Sequence, residues 1–199
     1  LNLSFKLKQN WQSLLNNSYK SRIAAKYSWT LELADFCASL FVNIFALFNP
    51  VAVDLRFILA VLKINSNLER IGDHAEGIAR YVLALDKVYD AQIPKKFQIE
   101  EGFQIAISMI DDALNALLKE DTALARKVFQ KDEELDHLNK NATDTTIELI
   151  SKQAADPLHY INMLSIVRKL ERTGDQTKNI AEEIIFFLEA KVLKHGKQS

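Results

Sequence analysis

A tandem repeat constrains the fold of this chain more than any other feature. Segment 62–82, LKINSNLERIGDHAEGIARYV, aligns without gaps with segment 164–184, LSIVRKLERTGDQTKNIAEEI, at an offset of 102 residues. Nine of the 21 aligned positions are identical, and both segments contain LERxGD. Self-similarity at a fixed spacing is typical of duplicated structural units. We therefore predict two copies of one unit, at residues 1–90 and 95–199, joined by a short linker at 89–96.

Each copy is expected to contain three helices. Only five glycines and three prolines occur among the 199 residues, which favours long helices with few turns. In the second copy, apolar residues recur at helical spacing, with a break at 120–122 and a helix start at Asp156-Pro157. We expect its helices at about 103–118, 122–153 and 157–194, and those of the first copy at about 3–18, 21–48 and 50–87. Amphipathic helices must bury their apolar stripes, so the predicted fold is all-α: two tandem antiparallel three-helix bundles, six long helices in total.

The charge balance and the cysteine count exclude several classes of protein. The formal net charge is −1, so no basic field favours nucleic-acid binding. Cys37 is the only cysteine, which excludes an internal disulfide and a Cys-rich metal site and is consistent with a reducing compartment. We find no P-loop, no Gly-rich dinucleotide loop and no nucleophile elbow, and therefore expect a protein that is not an enzyme.

One segment raises the question of a membrane. Residues 36–53 contain no charged side chain over 18 positions, but two asparagines and Pro50 interrupt the run. A spanning helix needs about 20 apolar residues, so a buried helix end followed by a turn is favoured, with a membrane-contacting or spanning element as the alternative. Residues 1–19 lack the apolar core and cleavage site of a signal peptide.

Carboxylates recur at a spacing that suits metal binding. Residues four apart lie on one face of a helix, and three acidic pairs have this spacing: Glu69 and Asp73, Glu171 and Asp175, and Asp132 and Asp136. In an antiparallel bundle the helix with the last pair packs against the helix with the second, so four carboxylates would converge. Oxygen ligands of this kind hold iron, manganese, magnesium or zinc. The alternative for residues 131–136, KDEELD, is a solvated charged surface.

Two glycines add to this pattern. Gly72 and Gly174 occupy equivalent positions inside the third helix of each copy, where glycine costs up to about 1 kcal/mol relative to alanine. We expect a close approach to the backbone there, by a neighbouring helix or by a metal-bridged carboxylate cluster. In the first copy the preceding helix offers only Glu32 and Asp35, three apart, so a weaker site is expected there.

The histidines permit a different hypothesis. Glu134 and His137 have the spacing of a ferritin-type di-iron motif, which would make the chain a carboxylate-bridged metalloenzyme. Such a site needs the motif on two helices, and the only near match is Asp156 with His159, at a helix start. We interpret both as coincidental. His74 is interpreted as a surface or interface residue. A purely structural helical dimer without a ligand is a third possibility.

The repeated motifs resemble those of a known family. Residues 50–56, PVAVDLR, and 68–75, LERIGDHA, are similar to the first-repeat signature of the PhoU family of phosphate-transport regulators, and 170–175 with 179–182 to the second. Asp132 and Asp136 stand where the family carries an acidic metal motif on the preceding helix. The resemblance covers nearly the whole chain.

This resemblance implies a structure and a role. It implies two tandem three-helix bundles and multinuclear iron or zinc clusters. It also implies a cytoplasmic regulator, peripheral at the inner face of the membrane and homodimeric, that binds the phosphate ABC transporter and a sensor histidine kinase and thereby affects transcription. The metal ligands would be Glu69, Asp73, Asp132, Asp136, Glu171 and Asp175. The second copy, with its full acidic helix, is expected to hold the better site.

Overall fold

The computed structural model of the chain describes residues 52–84, 92–152 and 157–190, together with the isolated helical residues 43 and 47. This part of the chain contains five helices and no strand. They are α1 (Ala52–Leu83), α2 (Gln92–Lys96), α3 (Ile99–Lys119), α4 (Thr122–Ser151) and α5 (Pro157–Glu189). The all-α prediction is therefore confirmed. The two helices expected at 3–18 and 21–48, with Glu32, Asp35 and Cys37, lie outside the described residues apart from positions 43 and 47.

Helices α3, α4 and α5 form the predicted three-helix bundle of the second copy. Asp132 of α4 pairs with Lys178 of α5, and Arg126 pairs with Glu189, so the two helices run antiparallel. The predicted starts of α4 and α5 are correct. Helix α5 ends at Glu189 rather than near 194, and Ala190 adopts a left-handed conformation with φ of 56°.

The turn between α3 and α4 follows the local sequence. Asp121 caps α4: its side chain accepts hydrogen bonds from the backbone N–H groups of Ala123 and Leu124 at 2.9 and 3.0 Å. Glu120 closes α3 in a left-handed conformation, and its own N–H donates to the last turn of that helix. An N-cap aspartate satisfies donors that the first helical turn leaves free. The predicted break at 120–122 is confirmed.

The predicted linker contains a short helix. Residues Gln92–Lys96 form α2, and Pro94 is tolerated because it lies in the first turn, where the missing N–H is not needed. Directly after α2, the ring of Phe97 is buried in the core of the bundle. The region that precedes α3 is therefore packed against the second copy rather than extended.

Helix α1, the third helix of the first copy, packs along α5. Lys63 pairs with Glu183 at 2.8 Å, and Gly77 lies beside the Lys169 side chain nearer the start of α5. The contacts move towards the start of α5 as α1 advances, so the two helices are antiparallel. Interpolation between these contacts brings Gly72 level with Gly174. The two LERxGD segments thus lie side by side and run in opposite directions.

The middle of α5 is the most enclosed part of the described chain. It is covered by α1 on one side and by α3 and α4 on the other, and it supplies the largest share of the core. Burial on several sides explains why apolar residues are found around most of α5, since a helix that faces only one neighbour keeps a polar face. None of the helices in the described ranges is both long enough and apolar enough to cross a bilayer.

Candidate functional site

The candidate site lies where α4 faces α5. Helix α4 contributes Asp132 and Asp136, and α5 contributes Glu171 and Asp175. Asp132 is only 2% exposed, whereas Glu171 and Asp175 are half-buried and Asp136 is exposed. The exposure of the four carboxyl groups therefore increases from Asp132, which is enclosed between the helices, to Asp136 at the bundle surface.

A lysine stands among these acids. The ammonium group of Lys178, one turn after Asp175 on α5, donates to Oδ2 of Asp132 at 2.6 Å. The acidic spacing predicts a cation that offsets the acids, and one such cation is a lysine of the chain itself. Its position three residues after Asp175 and seven after Glu171 places it on the same helix face. In the sequence, that spacing is the feature that could have indicated Lys178 as a countercharge for the acids.

The second oxygen of Asp132 has a different environment. Its Oδ1 atom is buried and accepts no hydrogen bond. Buried polar atoms are nearly always hydrogen-bonded, and an exception requires a reason such as an ion or a functional role. One enclosed carboxylate therefore keeps a free acceptor next to three further acids.

Gly174 permits this close approach of α4 to α5. A Cβ atom at Gly174 would lie 2.7 Å from Cδ1 of Leu135 and 3.1 Å from Oδ1 of Asp132. The expected close approach is thus confirmed at Gly174, and the neighbouring helix provides it. At the equivalent Gly72, no atom in the described part of the chain comes within 4 Å of such a Cβ.

The acids act on one another electrostatically. Burial raises the pKa of Glu171, and the charges of Asp175 and Asp136 raise it further. Burial and the charge of Asp132 raise the pKa of Asp175 and also that of Asp136, and Lys178 opposes both shifts. Like charges disfavour ionisation of their neighbours. The four carboxyl groups therefore lie close enough to repel, as the spacing predicts for facing helices.

The residues fit a metal ion in chemistry and only partly in geometry. Carboxylate oxygens suit hard or borderline cations, and the free Oδ1 atom of Asp132 could serve as a ligand. In the described ranges, however, no three His, Cys, Asp or Glu side chains are gathered closely enough to hold one ion. Binding would require the side chains of Asp136, Glu171 and Asp175 to rotate towards a common point. The prediction of a metal at these residues stays a prediction.

The repulsion predicts an unusual pH dependence of stability. A carboxyl group whose pKa is raised in the folded state disfavours the fold when it is ionised and stabilises it when protonated. We expect the site double variant, Glu171→Gln/Asp175→Asn, to be about 1 kcal/mol more stable than the parent at pH 7.5. This value already takes into account that solvent screens the repulsion between partly exposed acids. The advantage should shrink as the pH falls through the raised pKa values of the parent acids, and it should vanish below their ordinary values of about 4, where the acids are protonated in the folded and the unfolded chain alike.

Urea unfolding in the presence of a chelator measures this difference at each pH. The control double variant, Glu134→Gln/Asp144→Asn, changes two exposed acids of α4 and should stay within about 0.5 kcal/mol of the parent. A site double variant that is less stable than the parent at pH 7.5 would contradict the assigned repulsion.

The first-copy residues are placed differently. Glu69 and Asp73 are exposed on α1, and the acids expected opposite them lie outside the described residues. His74 is half-buried where α1 meets α5, which confirms an interface position, but its Nδ1 atom is buried without a hydrogen-bond partner in the described part of the chain. Its pKa is lowered by burial and by the neighbouring Lys169 and Arg172. The described residues thus bring the four acids of the second copy together, and they do not bring Glu69 and Asp73 to that cluster.

The di-iron hypothesis gains nothing from the structure. Glu134 and His137 are both exposed on α4, whereas di-iron ligands project into the bundle core. His159, in the only near match, is half-buried at the start of α5 with its ring edge-on to Tyr160. The Glu134 and His137 spacing therefore belongs to a surface helix face.

Known proteins share this sequence pattern and this fold. Residues 32–82 and 99–184 match the family described as the PhoU domain. The chain is 30% identical over 152 residues to the phosphate-specific transport system accessory protein PhoU homolog 1 of Thermotoga maritima, a match that covers 76% of this chain and 65% of the relative. It is 34% identical over 158 residues to the PhoU homolog of Pseudomonas putida, covering 77% and 60% respectively.

Solved structures agree with the sequence match. The crystal structure of the phosphate transport system regulatory protein PhoU from Streptococcus pneumoniae is similar with a TM-score of 0.71 at 26% identity, covering 96% of this chain and 85% of that one. PhoU from Pseudomonas aeruginosa gives a TM-score of 0.69 at 27% identity, covering 82% and 81%. By sequence, the chain spans about 60–65% of the length of the first curated relatives it matches.

Proposed function

The chain belongs to the PhoU family, and we propose that it regulates phosphate uptake and phosphate-starvation signalling as an accessory of a phosphate transport system. The observation that supports this most is the doubled LERxGD signature, which lies side by side on α1 and α5 of a fold shared with PhoU structures. A role through binding rather than catalysis agrees with a site built of mutually repelling carboxylates around a lysine.

The proposed partners follow from the family. We propose that the chain binds the phosphate ABC transporter and a sensor histidine kinase, as a homodimer in the cytoplasm at the inner face of the membrane. Relatives carry the name accessory protein of the phosphate-specific transport system. Through such contacts the chain would restrain uptake and starvation-induced transcription when phosphate is abundant.

The regulatory role is tested by deletion in the host. We expect deletion of the gene to raise the output of a phosphate-starvation reporter several-fold in phosphate-rich medium, and a plasmid copy to restore it. The deletion strain with the empty plasmid is the control for complementation. A reporter that ignores the deletion at both high and low phosphate would rule out the regulatory role.

We further propose that the acids of the second copy hold iron or zinc, in a cluster of one or more ions. Asp132, Asp136, Glu171 and Asp175 would be the ligands, and Glu69 with Asp73 the corresponding ligands of the first copy. A metal bound there would neutralise the carboxylates and cross-link α4 to α5. The residues themselves supply the preformed negative charge and, at Asp132, a free buried oxygen.

Elemental analysis of the purified chain tests this site. After purification without chelator, the parent should carry iron or zinc, and the site double variant Glu171→Gln/Asp175→Asn should lose at least half of it. The control double variant Glu134→Gln/Asp144→Asn should keep the parent content, since both of its acids are exposed on α4 and neither is a proposed ligand. Equal metal content in the parent and both variants would contradict the assigned ligands.

A further inference from the structure

Lys178 changes the chemistry of the acidic site. Its ammonium group contacts Oδ2 of Asp132 at 2.6 Å, and that carboxylate is almost fully enclosed. The lysine itself is about one-third exposed, with a relative side-chain exposure of 32%. A flexible side chain with access to solvent thus holds the deepest acid of the cluster.

The ammonium group already binds one oxygen of the deepest acid. Of the two oxygens of Asp132, Oδ2 is bound to Lys178 and Oδ1 has no partner. Lys178 also acts on Asp136 and Asp175, whose ionised forms it favours. One positive charge therefore already interacts favourably with three of the four acids of the site.

A metal ion and this ammonium group exclude each other at close range. Like charges that share one partly enclosed site repel strongly, because their Coulomb energy rises as the distance between them and the effective dielectric constant fall. Bidentate coordination by Asp132 would in addition break the ion pair at Oδ2. The lysine stem is long enough to swing its charged group out into solvent, as lysines at protein surfaces do.

We infer that Lys178 is a tethered cation that competes with a divalent metal ion for the acidic site between α4 and α5. In the metal-free protein Lys178 neutralises Asp132. Metal binding expels the ammonium group to solvent, so the affinity for metal is lower than four carboxylates alone would give. Lys178 thereby sets the metal concentration at which the site fills. This inference rests on the proposed metal site.

Mn²⁺ binding to the full chain provides the first test, with free Mn²⁺ measured by electron paramagnetic resonance. We expect Lys178→Gln to bind Mn²⁺ at least tenfold more tightly than the parent, and Lys178→Arg to bind within threefold of it because the positive charge is kept. Lys119→Gln, which removes an exposed charge at the end of α3, controls for net charge and should change the affinity less than twofold.

A second measurement needs no variant. If Mn²⁺ displaces the ammonium group, acylation of Lys178 by a water-soluble active ester should increase several-fold when the ion saturates the parent protein. Lys131 is the internal control, because it pairs at the same 2.6 Å with Asp112 of α3, which is not an acid of the site, and both partners are partly exposed. Peptide mass spectrometry quantifies both lysines in one sample.

The outcomes separate this inference from the proposed metal site. Tighter binding by Lys178→Gln supports the inference, even where the parent binds no Mn²⁺ at all. Equal or weaker binding by a folded Lys178→Gln, or unchanged acylation of Lys178 in a parent that does bind, overturns the inference and leaves the metal site standing. Absence of Mn²⁺ binding in both proteins overturns the inference, and the iron and zinc content of the purified parent then decides the metal site separately.

Discussion

Replacement of Gly174 by valine is expected to destabilise the chain by about 3 kcal/mol. The first added carbon would lie 2.7 Å from Cδ1 of Leu135 and 3.1 Å from Oδ1 of Asp132. Leu135 is almost fully buried, so its side chain has little room to move. Overpacking of a core typically costs 1–3 kcal/mol, and valine adds three carbons with a branch that restricts its rotamers.

Alanine at Gly174 tests the same contact more gently. Its higher helix propensity is worth up to about 1 kcal/mol, and the clash with Leu135 opposes it with about 1–3 kcal/mol. We expect Gly174→Ala to be less stable than the parent by about 1 kcal/mol, measured by urea unfolding. Because α4 and α5 would move apart, the variant should also lose part of its metal content.

The duplicated glycine provides the matched control. Gly72 occupies the equivalent position in α1, is exposed, and has no neighbour within 4 Å in the described part of the chain. Gly72→Ala should therefore show the propensity gain without the clash and become more stable by about 0.5–1 kcal/mol. Opposite signs at two positions of one repeat are the expected result. Equal stabilisation at both would show that the α4–α5 contact yields at no cost.

These glycines also show how far the sequence alone reaches. A glycine inside a helix indicates a close approach, and the repeat placed one in each copy. Whether a neighbour approaches depends on the crossing of two helices, which apolar periodicity does not specify to an ångström. The starts of α4 and α5 were predictable, because an N-cap aspartate and a first-turn proline mark them locally.

The structure departs from the sequence-based expectation at two places, and each departure has a physical cause. The apolar pattern continues beyond Glu189, so α5 was expected to run further, although Ala190 leaves the helical region with φ of 56°. The acidic spacing predicts a bound cation without specifying which one, so it does not predict the pairing of Lys178 with Asp132. A lysine on the same face of α5 as Glu171 and Asp175 offers the acids a countercharge within the chain.

The ion pair of Lys178 with Asp132 is expected to produce the other large effect on stability. Lys178→Met should destabilise the metal-free protein by about 3 kcal/mol, because it leaves the enclosed Asp132 carboxylate without a countercharge. Asp132→Asn keeps the shape and leaves a partly exposed lysine that water can solvate. We expect that variant to cost about 1 kcal/mol, the usual size of one lost hydrogen bond.

The double variant Asp132→Asn/Lys178→Met is expected to cost about 2 kcal/mol, less than the two single changes combined. Once the carboxylate is neutral, loss of the lysine no longer leaves a buried charge unpaired. The resulting coupling energy of about 2 kcal/mol follows from urea unfolding of the four proteins in the presence of a chelator. Saturating Mn²⁺ should restore stability to Lys178→Met and not to the double variant, which lacks the Asp132 charge.

A second ion pair of equal length provides the comparison. Lys131 and Asp112 also approach to 2.6 Å, but both side chains are between one-fifth and one-third exposed. Their coupling energy should be about 0.5–1 kcal/mol, as for other solvent-screened pairs. The difference between the two cycles then measures what enclosure of Asp132 contributes. If the coupling energy of Lys178 with Asp132 is no larger than that of Lys131 with Asp112, water reaches the Asp132 carboxylate. That carboxylate would then need neither the lysine nor a metal as a partner.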